Sequence, residues 1–242
     1  MIVTQLVGAG LTLVLAVSRA ETLPPVWEVG WAIVGGISGG IGIGALYRGL
    51  STGRMGIVAP ISGVLAAALP VGLGFILQGP PGPTRLAGMA VAFVAVVLVS
   101  QAGGGGSRRD IGLGLLAGSG IAVFNVALSR FAAGQVFAPL TIVRVAEGVL
   151  VILIVVVGRR PWRLARSVLP LAILVGALDM GGNALYILAT QAGRLDVATI
   201  LSSLYPVTTV VLAAVLLRER IVGSHLVGIL LAVVAIILIG AG

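Results

Sequence analysis

The chain has no cysteine, no lysine and a single histidine, and only 9% of its 242 residues are charged. Without cysteine there is no disulfide, no thiol nucleophile and no thiolate metal site. With His225 alone and no clustered carboxylates, neither a metal site nor a nucleophile–base pair is apparent. No catalytic residue, metal or cofactor is therefore expected, and an intramembrane enzyme is disfavoured. The shortage of charge excludes more. Soluble domains carry roughly 25% charged residues, whereas this chain is 59% hydrophobic. It cannot hide that surface in one water-bound core, so its solvent is lipid, where only helices or closed barrels satisfy the backbone.

The apolar stretches are long and do not alternate, which selects helices over barrel strands. Nine spans are predicted: Ile2–Val17, Val29–Leu50, Met55–Leu77, Thr84–Ser100, Ile111–Phe131, Pro139–Val157, Val168–Thr190, Val197–Leu217 and Ile221–Ile239. The first lacks a basic leader and an Ala-x-Ala-like cleavage site, so it reads as a retained span.

The sequence also repeats itself at a lag of about 140 residues. Gly8, Val17 and Arg19 recur as Gly148, Val157 and Arg159, and Ala32, Ile33, Gly36 and Gly42 as Ala172, Ile173, Gly176 and Gly182. Gly53-Arg54 matches Gly193-Arg194, and Gly88 matches Gly228. The register divides the chain into a first repeat over 1–102 with four helices, a Gly-rich linker over 103–109, and a second repeat over 110–242 with five. Helix Ile111–Phe131 has no counterpart, which would lie about thirty residues before Met1. A five-plus-five architecture lacking its first helix is the expectation, through a late start site or as a true nine-helix form.

All 15 basic residues are Arg, giving a net charge of +8. They are scattered through short loops, with no water-exposed domain to gather them, so nucleic acid is not an expected partner. They speak instead to orientation. Ten arginines fall on one side of the spans and Arg19, Arg85, Arg130 and Arg194 on the other, placing the C-terminus outside.

Ionisable groups within spans are costly in hydrocarbon and mark candidate sites. Asp179 stands mid-span with Asn183 one turn later; the carboxylate suits a cationic substrate group or a coupling proton, or else a helix-to-helix hydrogen bond. Arg144 and Glu147, three residues apart, can neutralise each other as a structural pair or face a substrate. Tyr205 precedes Pro206, which frees backbone carbonyls, with Ser202 and Ser203 in the same turn. Asn125 is a neutral candidate of the same kind. The spaced glycines Gly36, Gly40 and Gly44, and Gly114 and Gly118, indicate close helix packing rather than a phosphate loop.

From Ala184 to Gly240 the sequence resembles the C-terminal part of an EamA-type domain of the drug/metabolite transporter superfamily. The resemblance is carried by Ala184-Leu185-Tyr186, Gly193, Leu204-Tyr205-Pro206-Val207, Glu219 and Gly228. The first copy departs from the pattern at Gln78-Gly79-Pro80-Pro81, where the family usually has an acidic residue. The resemblance implies an all-α membrane protein of two inverted EamA repeats, here four plus five helices, around a central cavity. It implies a permease, often an exporter, of small metabolites by alternating access, coupled to a proton, another ion or the substrate's own gradient. Both termini would be cytoplasmic, opposite to the arginine count for the C-terminus. The expected setting is a multi-pass protein of a bacterial cell membrane, its partners a small-molecule substrate and the lipid bilayer. The alternative is a non-transporting membrane scaffold or a truncated remnant.

Overall fold

In hydrocarbon an amide has no water to bond, so an apolar run of membrane length folds as a helix that pairs its own backbone. The computed structural model describes residues 1–51, 55–100, 108–159, 166–204, 207–208, 211–212, 215 and 223–241. Among them all regular structure is helical: α1 (Ile2–Ser18), α2 (Val26–Ser51), α3 (Met55–Gln78), α4 (Pro83–Ser100), α5 (Arg108–Leu128), α6 (Phe137–Val157), α7 (Leu169–Ala192), α8 (Leu195–Ser203) and α9 (Gly223–Ala241). A 3-10 turn at Arg166–Val168 leads into α7.

Among the described residues, five stretches are long and apolar enough to cross a membrane, namely Val26–Gly49, Ile61–Gln78, Arg108–Leu128, Phe137–Val157 and Arg166–Ala192. Ile2–Ser18, Pro83–Leu98 and Leu226–Ala241 are shorter apolar helices. The expected span Val197–Leu217 is a helix over Leu195–Ser203, and most of its remainder lies outside the described residues.

Expected boundaries move at α2 and α5. Helix α2 starts at Val26 rather than Val29, because the Pro25 carbonyl accepts the amides of Glu28 and Val29 and already begins the turn. Helix α5 starts at Arg108, inside the expected linker, and stops at Leu128 rather than Phe131. The chain there turns through Ser129 and Arg130 toward Gly134, whose φ of +84° suits only glycine.

The chain forms two compact units, each drawn from both halves of the sequence: Met1–Gly40 with Val123–Ala192, and Ile41–Ala122 with Gly193–Gly242. In the first unit α1 packs against both α6 and α7. A Cβ on Gly36 of α2 would stand 2.5 Å from the Val143 carbonyl oxygen of α6, so these two backbones touch. A Cβ on Gly176 of α7 would stand 2.7 Å from the Thr4 carbonyl oxygen of α1. The amide end of α6 is closed from the α1–α2 connection. Glu21 Oε2 accepts from Val136 at 3.3 Å and from Phe137 and Ala138 at 2.8 Å. This carboxylate serves orphan donors and meets the positive end of the helix dipole. Gln191 Nε2 donates to the carbonyls of Ala132 at 2.8 Å and Gln135 at 2.9 Å, fixing the turn before α6.

In the second unit α9 lies along α4, and α3 packs on α8 and α4. Its core is aliphatic and small, with Met89, Ala92, Ala95, Ile200, Ala232 and Ala235 buried together. Arg194 closes one end. Its guanidinium donates to the carbonyls of Gln78 (3.2 Å) and Gly79 (2.5 Å) at the end of α3, and holds Asp196 at 2.8 Å. Gln78 Oε1 returns the favour by accepting the Leu195 amide at 3.0 Å. The bidentate Asp196 carboxylate raises the Arg194 pKa above its ordinary value.

Elsewhere large side chains face outward: Leu6, Val14, Leu178 and Leu185 are each exposed by more than 60%. On helices this apolar, such faces are lipid-facing surface. The expected close packing holds at Gly118, where a Cβ would lie 2.7 Å from Leu65 Cβ, but not at Gly44, which has no neighbour within 4 Å. Gly44 therefore lies beyond the seam that Gly36 occupies.

Gly36→Val is expected to destabilise the protein by about 1–3 kcal/mol through overpacking. Gly44→Val, with open space, is expected to leave it nearly unchanged. Thermal unfolding of both variants in detergent checks the contrast.

Candidate functional site

Helix α6 is apolar apart from Thr141, Arg144 and Glu147, which at three-residue spacing share one face. Helix α1 carries Gln5 and Thr12 on its buried face, with Gly8 between them. The two stripes meet. Thr141 donates to the Thr12 hydroxyl at 2.9 Å, and Thr12 in turn donates to the Gly8 carbonyl at 2.9 Å. Arg144 Nη1 donates to Gln5 Oε1 at 3.1 Å. It lies 3.7 Å from Glu147 Oε2 and 2.5 Å from Asp179 Oδ2 on α7. Gln5 also bonds Glu147. Gly8 makes the room, since a Cβ there would approach Arg144 Cδ to 3.3 Å.

The network joins residues that the sequence keeps apart. Arg144 and Glu147 are not a self-contained pair, because Arg144 reaches across to Asp179. Burial is uneven, and the unevenness has chemical content. Arg144 and Glu147 are 2% and 4% exposed, whereas the Asp179 side chain is 51% exposed. The guanidinium is thus a buried counter-charge, and Asp179 is the half-exposed member of the set. Arg144 Nε and Nη2 have no hydrogen-bond partner among the described residues. The network thus sets one cation against two carboxylates.

The other expected site residues fall elsewhere. Asn183 on α7 and Asn125 on α5 are half-buried, and no hydrogen bond among the described residues ties either to Arg144. Ser202 is exposed. Ser203 is buried, but its hydroxyl donates to the Ile200 carbonyl at 2.7 Å within its own helix. Both serines belong to the second unit, whereas the Arg144 network lies wholly in the first. Tyr205, Pro206 and Glu219 lie outside the described residues. Among the described residues no three His, Asp or Glu side chains gather to hold a metal.

Gln5 and Thr12 were not singled out in the sequence, though a signal existed. They are polar residues two turns apart in a largely apolar helix, a spacing that puts both on one face. Glu21 and Glu28 fall between the first two expected spans. Glu28 is fully buried and accepts the Ala132 amide at 3.3 Å.

Arg144→Met is expected to cost about 3 kcal/mol or more, because it strands the buried Glu147 carboxylate. Combining it with Glu147→Gln is expected to recover part of that loss, in unfolding titrations of all three variants.

Comparison with known proteins gives a family likeness and likenesses of fold. A family model described as the EamA-like transporter family matches residues 110–241. A protein solved by crystallography superposes with a TM-score of 0.61 over 98% of this chain and 93% of its own, at 21% identity, a likeness of fold alone. No curated protein matches the chain.

Proposed function

The chain belongs to the EamA-like transporter family, and from that premise we propose that it is a multi-pass permease of the cell membrane. It moves a small, partly polar metabolite by alternating access, most simply outward, with Asp179 as the group that meets the substrate. The observation that carries this reading is the half-exposed Asp179 carboxylate anchored by the buried Arg144. A carboxylate turned to lipid at mid-span costs about 2.5–3.5 kcal/mol, so such a group belongs on the wall of an aqueous cavity. Arg144 occupies Oδ2 and leaves Oδ1 to accept from a substrate ammonium, amide or hydroxyl. Substrate and proton compete for the same surplus of negative charge, which couples them without a further site.

The same proposal takes the helices as two inverted copies. Two contacts support it. Gly36 of α2 lies on Val143 and Glu147 of α6, and Gly176, its equivalent 140 residues on, lies on Thr4 and Val7 of α1. Subtracting the lag from 143 and 147 gives 3 and 7, so each glycine touches the equivalent stretch of the other copy. Gly8 on Arg144 and Gly148 on Gln5 make a second reciprocal pair. Reciprocal contacts of this kind are what a two-fold relation between repeats produces.

The test is initial-rate flux in proteoliposomes across a panel of labelled metabolites. Asp179→Asn is expected to lower flux about tenfold or more, the loss of one charge-assisted hydrogen bond. Ser203→Ala is expected to leave it within about twofold, since its bond is internal to α8. Unchanged flux in Asp179→Asn removes that residue from the mechanism. No flux of any metabolite by folded wild-type protein favours the non-transporting scaffold.

A further inference from the structure

The second unit contains a groove of about 400 Å³ that the transport reading does not use. Arg85, in the first turn of α4, and Arg194, which caps α8, stand at one end. Val197 and Leu201 of α8 and Ile236 and Ile239 of α9 form its aliphatic walls. From Arg194 to Leu201 the wall descends about 10 Å along the helix. A cationic mouth therefore opens onto an aliphatic slot at the end of membrane-embedded helices.

The two arginines are not equivalent. Arg194 is spent on Asp196 and on the carbonyls closing α3. Arg85 makes no ion pair among the described residues, and its Nε is buried with no hydrogen-bond partner. It also sits in a helix first turn that holds no acidic residue, where the helix dipole adds to its positive charge. The mouth thus carries one uncompensated positive charge that asks for an anion.

We propose that this groove binds an anionic phospholipid, its phosphate on Arg85 and the upper part of an acyl chain in the slot. A free anion satisfies Arg85 but leaves the aliphatic wall uncovered. A zwitterionic lipid brings an ammonium for which the described residues of the groove offer no free acid, because Asp196 is fully buried and held by Arg194. Only an amphiphile of net negative charge answers both the mouth and the walls.

Thermal unfolding of the full-length protein in detergent, titrated with phosphatidylglycerol, phosphatidylcholine or glycerol phosphate, tests the assignment. Phosphatidylglycerol is expected to raise the melting midpoint saturably, and the other two are not. Arg85→Gln is expected to weaken the apparent phosphatidylglycerol affinity about fivefold, the effect of one surface cation. Leu201→Trp keeps both arginines and fills the slot, and is expected to abolish the same shift. Equal shifts with the two lipids overturn the proposal, as does a phosphatidylglycerol shift undiminished in either variant. A shift reproduced by glycerol phosphate alone reassigns the groove to a soluble anion and overturns the lipid.

Discussion

Hydrocarbon offers a buried charge no water, and that shortage governs the organisation around Arg144. A guanidinium on α6 among apolar helices needs acceptors from whatever packs beside it. Gln5 of α1 and Asp179 of α7 supply them, and Glu147 adds a carboxylate from the same helix. The identity of one residue thereby decides what two neighbouring helices carry on the faces that meet it. Lipid makes no distinction between apolar surfaces, so these polar contacts fix rotation and register where side-chain hydrophobicity does not.

The same shortage explains the helix ends. Backbone groups that a helix leaves unpaired are served by side chains brought from distant sequence: Glu21 for the amides opening α6, and Arg194 for the carbonyls closing α3. Most acids are engaged with an arginine or a helix end, which is how a chain with 9% charged residues still specifies a fold. Arg85 has no such partner among the described residues, and it opens onto an aliphatic groove.

Between the polar contacts the helices meet backbone to backbone. Association in a membrane rests on van der Waals packing, which is strongest where no Cβ intervenes. Gly36 and Gly176 occupy such seams, while Gly44, two turns beyond Gly36 on the same helix, meets nothing. A repeated small-residue spacing marks a face able to pack closely; which turns of that face are used depends on where the partner helix crosses.

The sequence alone determined the solvent, the helical class, most helix positions and the family, because apolar run length and composition are local properties read by a single rule. It also singled out Asp179, Arg144 and Glu147, since a charge inside an apolar run is conspicuous by itself. It placed helix ends less well, as at α2 and α5, because those depend on turns and caps from elsewhere in the chain. Tertiary structure alone decided which charges meet. The gap between Arg144 and Asp179 in the chain is 35 residues, and no spacing rule spans it. Only the packing of α1, α6 and α7 put Gln5 into the same network and left Asp179 as its half-exposed carboxylate.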